Sequence, residues 1–244
     1  MTTSNNTIAL VTGAGKGIGF EVARQLAQKG ITVILGVRDI DKGKSAADQL
    51  KAEGLDVIAK LVDVANDDSV QQLATIIEAE FGRLDILVNN AAAYVDWMET
   101  ASKADLKAVH HVLETNLYGA WRTTQALLPL LRKSEHARVV NVSSGAGSHG
   151  EMQFGLTTNH GASASYGISK AALNALTVKF AVELEGTGIL VNAVCPGLTA
   201  TAPGMEAMGA RPIPDGAASV VWAALLPDDG PTGGFFRDGK PLPW

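Results

Sequence analysis

The chain is predicted to fold as an α/β protein, with one doubly wound parallel sheet and helices on both of its faces. Three features of its 244 residues point there. Apolar, β-branched runs recur, and several are apolar at successive positions, as in Ile8-Ala9-Leu10-Val11 and Ile86-Leu87-Val88. Such runs suit strands that are covered on both faces. Stretches with helical spacing separate them, and the links are short, which is the pattern of repeated right-handed strand–helix–strand units. Composition narrows the class further. With 46% hydrophobic and 18% charged residues the chain is too apolar for a disordered one. No apolar run approaches the roughly 18 residues of a membrane-spanning helix. Twenty basic against twenty-five acidic residues, a net charge of −5, argue against a nucleic-acid partner. Cys195 is the one cysteine, so an internal disulfide and a multi-cysteine zinc site are excluded. Met1 to Asn6 are polar and lack Lys and Arg, unlike a secretory leader. A soluble, cytoplasmic protein with no membrane partner is expected.

In chain order, strands are expected at Thr7–Thr12, Ile31–Val37, Val57–Val64, Leu84–Asn89, Arg138–Ser143 and Ile189–Val194. A helix carrying Val22, Leu26 and Ala27 follows the first strand. Val70, Leu73, Ile76, Ile77 and Phe81 mark the stripe of another, with Asp67 or Asp68 as N-cap and Gly82 as stop. A longer helix is read from about Ser102 to Arg132, with Pro129 kinking its last turns. The last of the clear helices begins at Tyr166 and continues through Leu173, Leu176 and Phe180. Two stretches break the rhythm, about 145–165 and about 198–216. Each follows a strand at its carboxyl end, the edge where open α/β sheets bind ligands, so both are expected to form substrate walls. With no internal repeat and no long linker, residues 1–244 read as one domain.

Thr12-Gly13-Ala14-Gly15-Lys16-Gly17-Ile18-Gly19 lies directly between the first strand and its helix. Glycines there let the backbone approach a pyrophosphate, and the helix N-terminus offers unpaired N–H groups to it. With a strand before it and a helix after it, the turn reads as a dinucleotide cradle in a Rossmann-type sheet. The second strand ends Leu35-Gly36-Val37-Arg38-Asp39. Arg38, helped by Lys16, could pair with a 2′-phosphate, which favours NADP(H) and leaves NAD(H) as the alternative. Asp39 is the complication, since it could neutralise Arg38 or itself approach the ribose.

Tyr166 and Lys170 stand one helical turn apart, on one face. A nearby ammonium favours a phenolate, and a depression of two or three units, about 1.4 kcal/mol each, is feasible for a close pair. Upstream, Asn141-Val142-Ser143-Ser144 ends one strand in hydroxyls and Asn89-Asn90-Ala91-Ala92 ends another in paired amides. Asn116 sits inside the long helix, where an amide is a mediocre helix former. Together with the glycine-rich turn, Asn-Leu-Tyr-Gly around Asn116, and Pro196-Gly197, these motifs run in one order over almost the whole chain. In that order the sequence resembles the short-chain dehydrogenase/reductase family, in its compact branch. The segment Gly233–Gly239 is similar to carbonyl-reductase-like members.

The resemblance implies reduction of a ketone or aldehyde by NADPH. Tyr166 would be the general acid and Ser144, the second residue after Val142, would polarise the carbonyl. Lys170 would lower the Tyr166 pKa and hold the nicotinamide ribose, and Asn116 would position a water that joins Lys170 to solvent. It further implies cofactor contacts from Gly13, Lys16, Gly17, Ile18, Gly19, Arg38, Asp63, Val64 and Asn90, and from Pro196, Gly197 and Thr201 at the nicotinamide end. A small carbonyl or alcohol substrate is implied, and a homo-oligomer stays open. Three departures stand out: Ala92 replaces a family glycine, the gap from Ser144 to Tyr166 is long, and the loop after Gly197 is short for a lid. An alcohol dehydrogenase working in the oxidative direction and a catalytically silent dinucleotide sensor are the alternatives. His110, His111, His136, His149 and His160 form no metal-binding pattern, so no metal is expected. No Gly-x-Ser-x-Gly elbow surrounds Ser144, and Cys195 reads as packing. Of the tryptophans, Trp97 is the one expected near a substrate.

Overall fold

The structure is a computed structural model that describes residues 7–244. The expectation placed on Met1–Asn6 lies outside the described residues. Eight strands form one sheet in the order β3-β2-β1-β4-β5-β6-β7-β8. They are β1 Ile8–Thr12, β2 Thr32–Val37, β3 Val57–Leu61, β4 Ile86–Asn89, β5 Arg138–Val142, β6 Leu190–Val194, β7 Phe235–Arg237 and β8 Lys240–Pro241. All pairings are parallel except the closing β7–β8 hairpin. The sheet is the doubly wound, Rossmann-type one that the sequence predicts. The hairpin was not foreseen, because β7 and β8 are too short to leave a periodic pattern.

Alternating side chains of each central strand enter two separate cores. On one face Ile8, Leu10, Leu87 and Val139 pack against Leu73 and Ile77 of α3 (Asp67–Phe81), Leu127 and Leu131 of α5 (Gly119–Leu131), and Leu173 and Phe180 of α6 (Ala164–Glu183). On the other face Ala9, Val11, Val88 and Val140 pack against Val22 and Leu26 of α1 (Gly17–Ala27), Leu50 of α2 (Ile40–Ala52) and Val220 of α7 (Ile213–Ala224). Strands buried on both sides therefore read as unbroken apolar runs. No helix among the described residues is long and apolar enough to cross a membrane.

Several boundaries differ from expectation. β3 stops at Leu61, where the edge strand becomes exposed, instead of reaching Val64. The N-cap of α3 is Asn66, whose side chain accepts from Ser69 N at 2.8 Å; Asp67 and Asp68 occupy the first turn, where their charge suits the helix dipole. Gly82 does end α3, in the left-handed conformation. The long helix starts at Leu106, as α4 (Leu106–Leu113), after an Asp105 cap. Its departure from α geometry is a π turn at Glu114–Tyr118, and α5 runs through Pro129 to Leu131. Helix α6 begins at Ala164, two residues before Tyr166, and α7 begins at Ile213, inside the stretch read as loop.

Candidate active site

The strand order reverses between β1 and β4, and the crevice at their carboxyl ends is where such sheets take ligands. The glycine-rich turn leaves β1 there and Asn90 leaves β4 beside it. The Asn90 side-chain amide donates to Thr12 O at 2.8 Å and to Gly13 O at 3.2 Å, and its backbone N–H donates to Thr12 Oγ1 at 3.0 Å. This close approach explains the glycines. A Cβ at position 13 would lie 2.9 Å from Ala91 Cα, and one at 19 would collide with the Asn90 amide. Gly13 and Gly17 also hold positive φ, 66° and 60°. The N-cap of α1, Lys16, makes no side-chain cap and no acid occupies the first turn, so the helix end is left open to an anion. Lys16 and Arg38 are exposed, and among the described residues neither forms an ion pair. Asp39 is occupied instead: it caps α2 by accepting from Lys42 N and pairs with Lys42 Nζ at 3.1 Å. Lys42 holds its carboxyl below the usual carboxylate range, and no ion pair joins it to Arg38 among the described residues.

The other half of the cluster is drawn from four separate segments. Ser144 lies two residues beyond β5, and Tyr166 and Lys170 belong to α6, whose backbone the Gly145–Gly147 turn touches closely. A Cβ at Gly147 would come within 2.5 Å of Lys170 C. The Tyr166 phenol contacts the Ser144 hydroxyl and the phenol of Tyr94. Ser143, by contrast, points into the core and donates to Asn174 Oδ1 at 2.6 Å. Lys170 Nζ donates to Val142 O at 2.8 Å and lies 5.6 Å from the centre of the Tyr166 ring. Asn116 stands in the π turn. Its Oδ1 accepts from Ala93 N at 2.7 Å, and its Nδ2 donates to Ala93 O and to Ser169 Oγ, each at 3.0 Å.

These surroundings reverse one expectation. Burial above all, and then the Tyr94 phenol, push the Tyr166 pKa well above the ordinary tyrosine value, although Ser144 acts the other way. The Lys170 ammonium, bonded to the Val142 carbonyl and 5.6 Å from the ring centre, does not offset this burial. Burial brings Lys170 itself down to about 8.

The model of the short chain dehydrogenase family matches residues 7–210. The chain belongs to that family. Among short-chain relatives, short-chain dehydrogenase/reductase 1 of Saponaria officinalis is 34% identical, over 97% of this chain and 95% of the relative. Carbonyl reductase [NADPH] 1 of Sus scrofa is 33% identical, over 99% and 95%. The NADPH-bound carbonyl reductase structure from chicken fatty liver superposes with a TM-score of 0.86 at 25% identity, covering 99% of this chain and all of that one. The protein is thus a short-chain oxidoreductase of carbonyl-reductase type, and its family binds nicotinamide dinucleotides.

The other residues that the sequence resemblance assigns to the cofactor are placed as follows. Thr201 Cγ2 comes within 3.8 Å of where a Gly17 Cβ would be, so the loop after β6 closes on the glycine-rich turn. Gly197 has φ 76°, with Arg211 against it, and Pro196 is buried. Asp63 turns inward to accept from Ala65 N at 3.0 Å. The Val64 side chain is buried against Gly119, and its carbonyl accepts from Arg122 Nη1 at 2.6 Å. Ile18 packs on the α1 side of the core. Ala92 stands without positive φ, so the family's glycine is not needed for the backbone here.

Two residues escaped sequence reasoning. Glu99 Oε2 accepts from Ser165 N at 2.9 Å and Ser165 Oγ at 2.6 Å, capping α6 from a distant segment. Tyr94 stacks on Tyr166, with ring centres 5.2 Å apart and planes 21° from parallel. Neither belongs to a motif; only the position of Tyr94, four residues after Asn90, could have drawn attention to it.

Proposed function

We propose that the chain reduces a ketone or aldehyde to an alcohol with NADPH, that Tyr166 delivers the proton, and that residues 1–244 act as one unit. The carrying observation is a buried phenol, kept neutral by its surroundings, beside the Ser144 hydroxyl. A general acid for carbonyl reduction must hold its proton at neutral pH, and burial ensures that it does. The residues present suit a phosphorylated dinucleotide. The open N-terminus of α1 and the glycine-rich turn (Gly13, Lys16, Gly17, Ile18 and Gly19) would take the pyrophosphate. Unpaired Arg38 and Lys16 would take a 2′-phosphate. Asp63, Val64, Asn90, Pro196, Gly197 and Thr201 would line the rest. Bound there, NADPH supplies a hydride to the carbonyl carbon.

The chain's own residues do the rest. Ser144 donates to the carbonyl oxygen and orients it, while Tyr166 passes its proton to the same oxygen. Lys170, cationic below about pH 8, holds a ribose hydroxyl and restores charge balance next to the spent phenol. Asn116 acts on the other side of α6 by tying Ala93 to Ser169, which fixes the π turn against the tyrosine helix. Oxidation of an alcohol would require the phenolate as base, and that form is the one the ligand-free site disfavours. A panel of aldehydes and ketones, followed by cofactor oxidation, tests the reading. Turnover with NADPH at higher kcat/KM than with NADH is expected. A pure protein that binds NADPH and leaves every carbonyl unreduced would make it a sensor, and equal efficiency with NADH would remove the NADP preference.

A further inference from the structure

Above the catalytic phenol lies an aromatic group that no step of the proposed reaction uses. Tyr94 stacks almost face to face on Tyr166, and Trp97 meets the same ring edge-on at 5.9 Å. The segment carrying both is fastened on either side. Asn116 holds Ala93 through two hydrogen bonds, Ser163 Oγ donates to Trp97 O at 3.1 Å, and Thr100 forms a β-bridge with Ala162. The main chain is therefore held, while the Tyr94 side chain is 58% exposed.

We propose that Tyr94 is the specificity-determining residue of this site: its side chain covers the Tyr166 phenol until substrate displaces it, and its ring, with Trp97, then forms a wall suited to planar, unsaturated carbonyl compounds. The inference rests on the reductase reading above. A phenol has one proton to give and Tyr166 must give it to the substrate oxygen. In the ligand-free site the Tyr94 ring lies stacked over the Tyr166 ring, and contact with the second phenol disfavours ionisation of Tyr166. The Tyr94 side chain thus fills space over the phenol that a substrate carbonyl must enter. The near-parallel stack shows that the space over Tyr166 takes a flat ring, and the exposed faces of Tyr94 and Trp97 can take another. A saturated, puckered ring offers no such face.

Two variants separate the parts of this role. Tyr94→Phe keeps the ring and removes the hydroxyl; Tyr94→Ala removes both. The probes are acetophenone and cyclohexyl methyl ketone, of like size but only one of them planar, each with saturating NADPH. In Tyr94→Ala the ratio of kcat/KM for the phenyl over the cyclohexyl ketone should fall about two- to tenfold, the worth of one aromatic stack. In Tyr94→Phe the ratio should hold, and the alkaline limb of kcat/KM should move to lower pH. Tyr166 then loses the contact that raises its pKa, while Ser144, Lys170 and Cys195, the other groups that face it, stay in place. A second readout needs no turnover. The chain has three tyrosines, so ultraviolet titration of the ligand-free protein should show the last phenol ionising at lower pH in Tyr94→Phe. An unchanged ratio in Tyr94→Ala, or an unchanged titration in Tyr94→Phe, overturns the proposal. A wild-type protein inert toward both ketones, with the titration shifted as expected, would instead count against the reductase reading alone.

Discussion

The glycine-rich turn after β1 and the tyrosine helix α6 share one edge of the sheet, but they take shape by opposite means. The turn works by omission. Side chains are missing at positions 13 and 19 so that Asn90 and Ala91 can lie against the backbone, and N–H groups are left free. Nearly everything it needs is local, apart from the Asn90 amide. The region around Tyr166 works by accumulation. Ser144 from the turn after β5, Tyr94 and Trp97 from the segment after β4, and Lys170 from α6 converge on a buried phenol whose surroundings set its proton affinity. The contrast shows that a binding surface made of backbone tolerates distance from its motif poorly, whereas a proton site made of side chains is governed by what buries it.

That contrast can be broken most forcefully at the phenol. Tyr166→Phe removes the proton donor and leaves the turn alone, so kcat should fall by about 10²- to 10⁴-fold, while the NADPH dissociation constant from fluorescence titration stays near wild type. Loss of affinity in equal measure would mean that the two regions are not separable. At the turn the reverse is expected. Gly19→Ala forces a Cβ against the Asn90 amide and within 2.7 Å of Gly13 O, so NADPH affinity should drop about ten- to a hundredfold with kcat at saturation largely kept. Gly15→Ala is the control: its Cβ would meet only Val37 Cγ1, at an ordinary 3.5 Å, and affinity should stay within about twofold.

Lys170 sharpens the comparison because it belongs to both regions. Its pKa is brought down to about 8, so it is charged below that pH and neutral above it. If the charged form holds the ribose, NADPH affinity should be flat below pH 8 and then weaken toward about tenfold per pH unit. Calorimetry across the range would show the bend, and Lys170→Ala should abolish it. The smallest effect is expected at Arg38, an exposed side chain whose attraction for a phosphate is screened by solvent. Arg38→Ala should weaken NADPH about three- to tenfold and leave NADH unchanged, as measured by the ratio of the two dissociation constants. Equal weakening of both cofactors would assign Arg38 a role other than reading the 2′-phosphate.

Both cofactor turn and catalytic set were legible as residue types. Gly13, Gly17, Gly19, Tyr166 and Lys170 keep spacings fixed by one turn and one helix, and such spacing survives in a string of letters. Not legible was the sign of the Tyr166 shift. One turn of separation from Lys170 suggested a lowered pKa, but the ammonium reaches the Val142 carbonyl, and burial with Tyr94 raises it. The same holds for Asp39, whose partner proved to be Lys42 across its own helix cap, and for the α3 cap, where Asn66 outcompetes its two acidic neighbours.

The sequence alone determined the alternation of strands and helices, the two-faced burial of the sheet and the place of the glycine-rich turn, because hydrophobic period and backbone stereochemistry act between near neighbours. The tertiary structure decided which far-apart groups meet at the phenol: Glu99 capping α6, Asn116 holding Ala93, Tyr94 lying on Tyr166. Desolvation and hydrogen bonding set proton affinity, and both depend on who is nearby in space, which only the folded chain specifies.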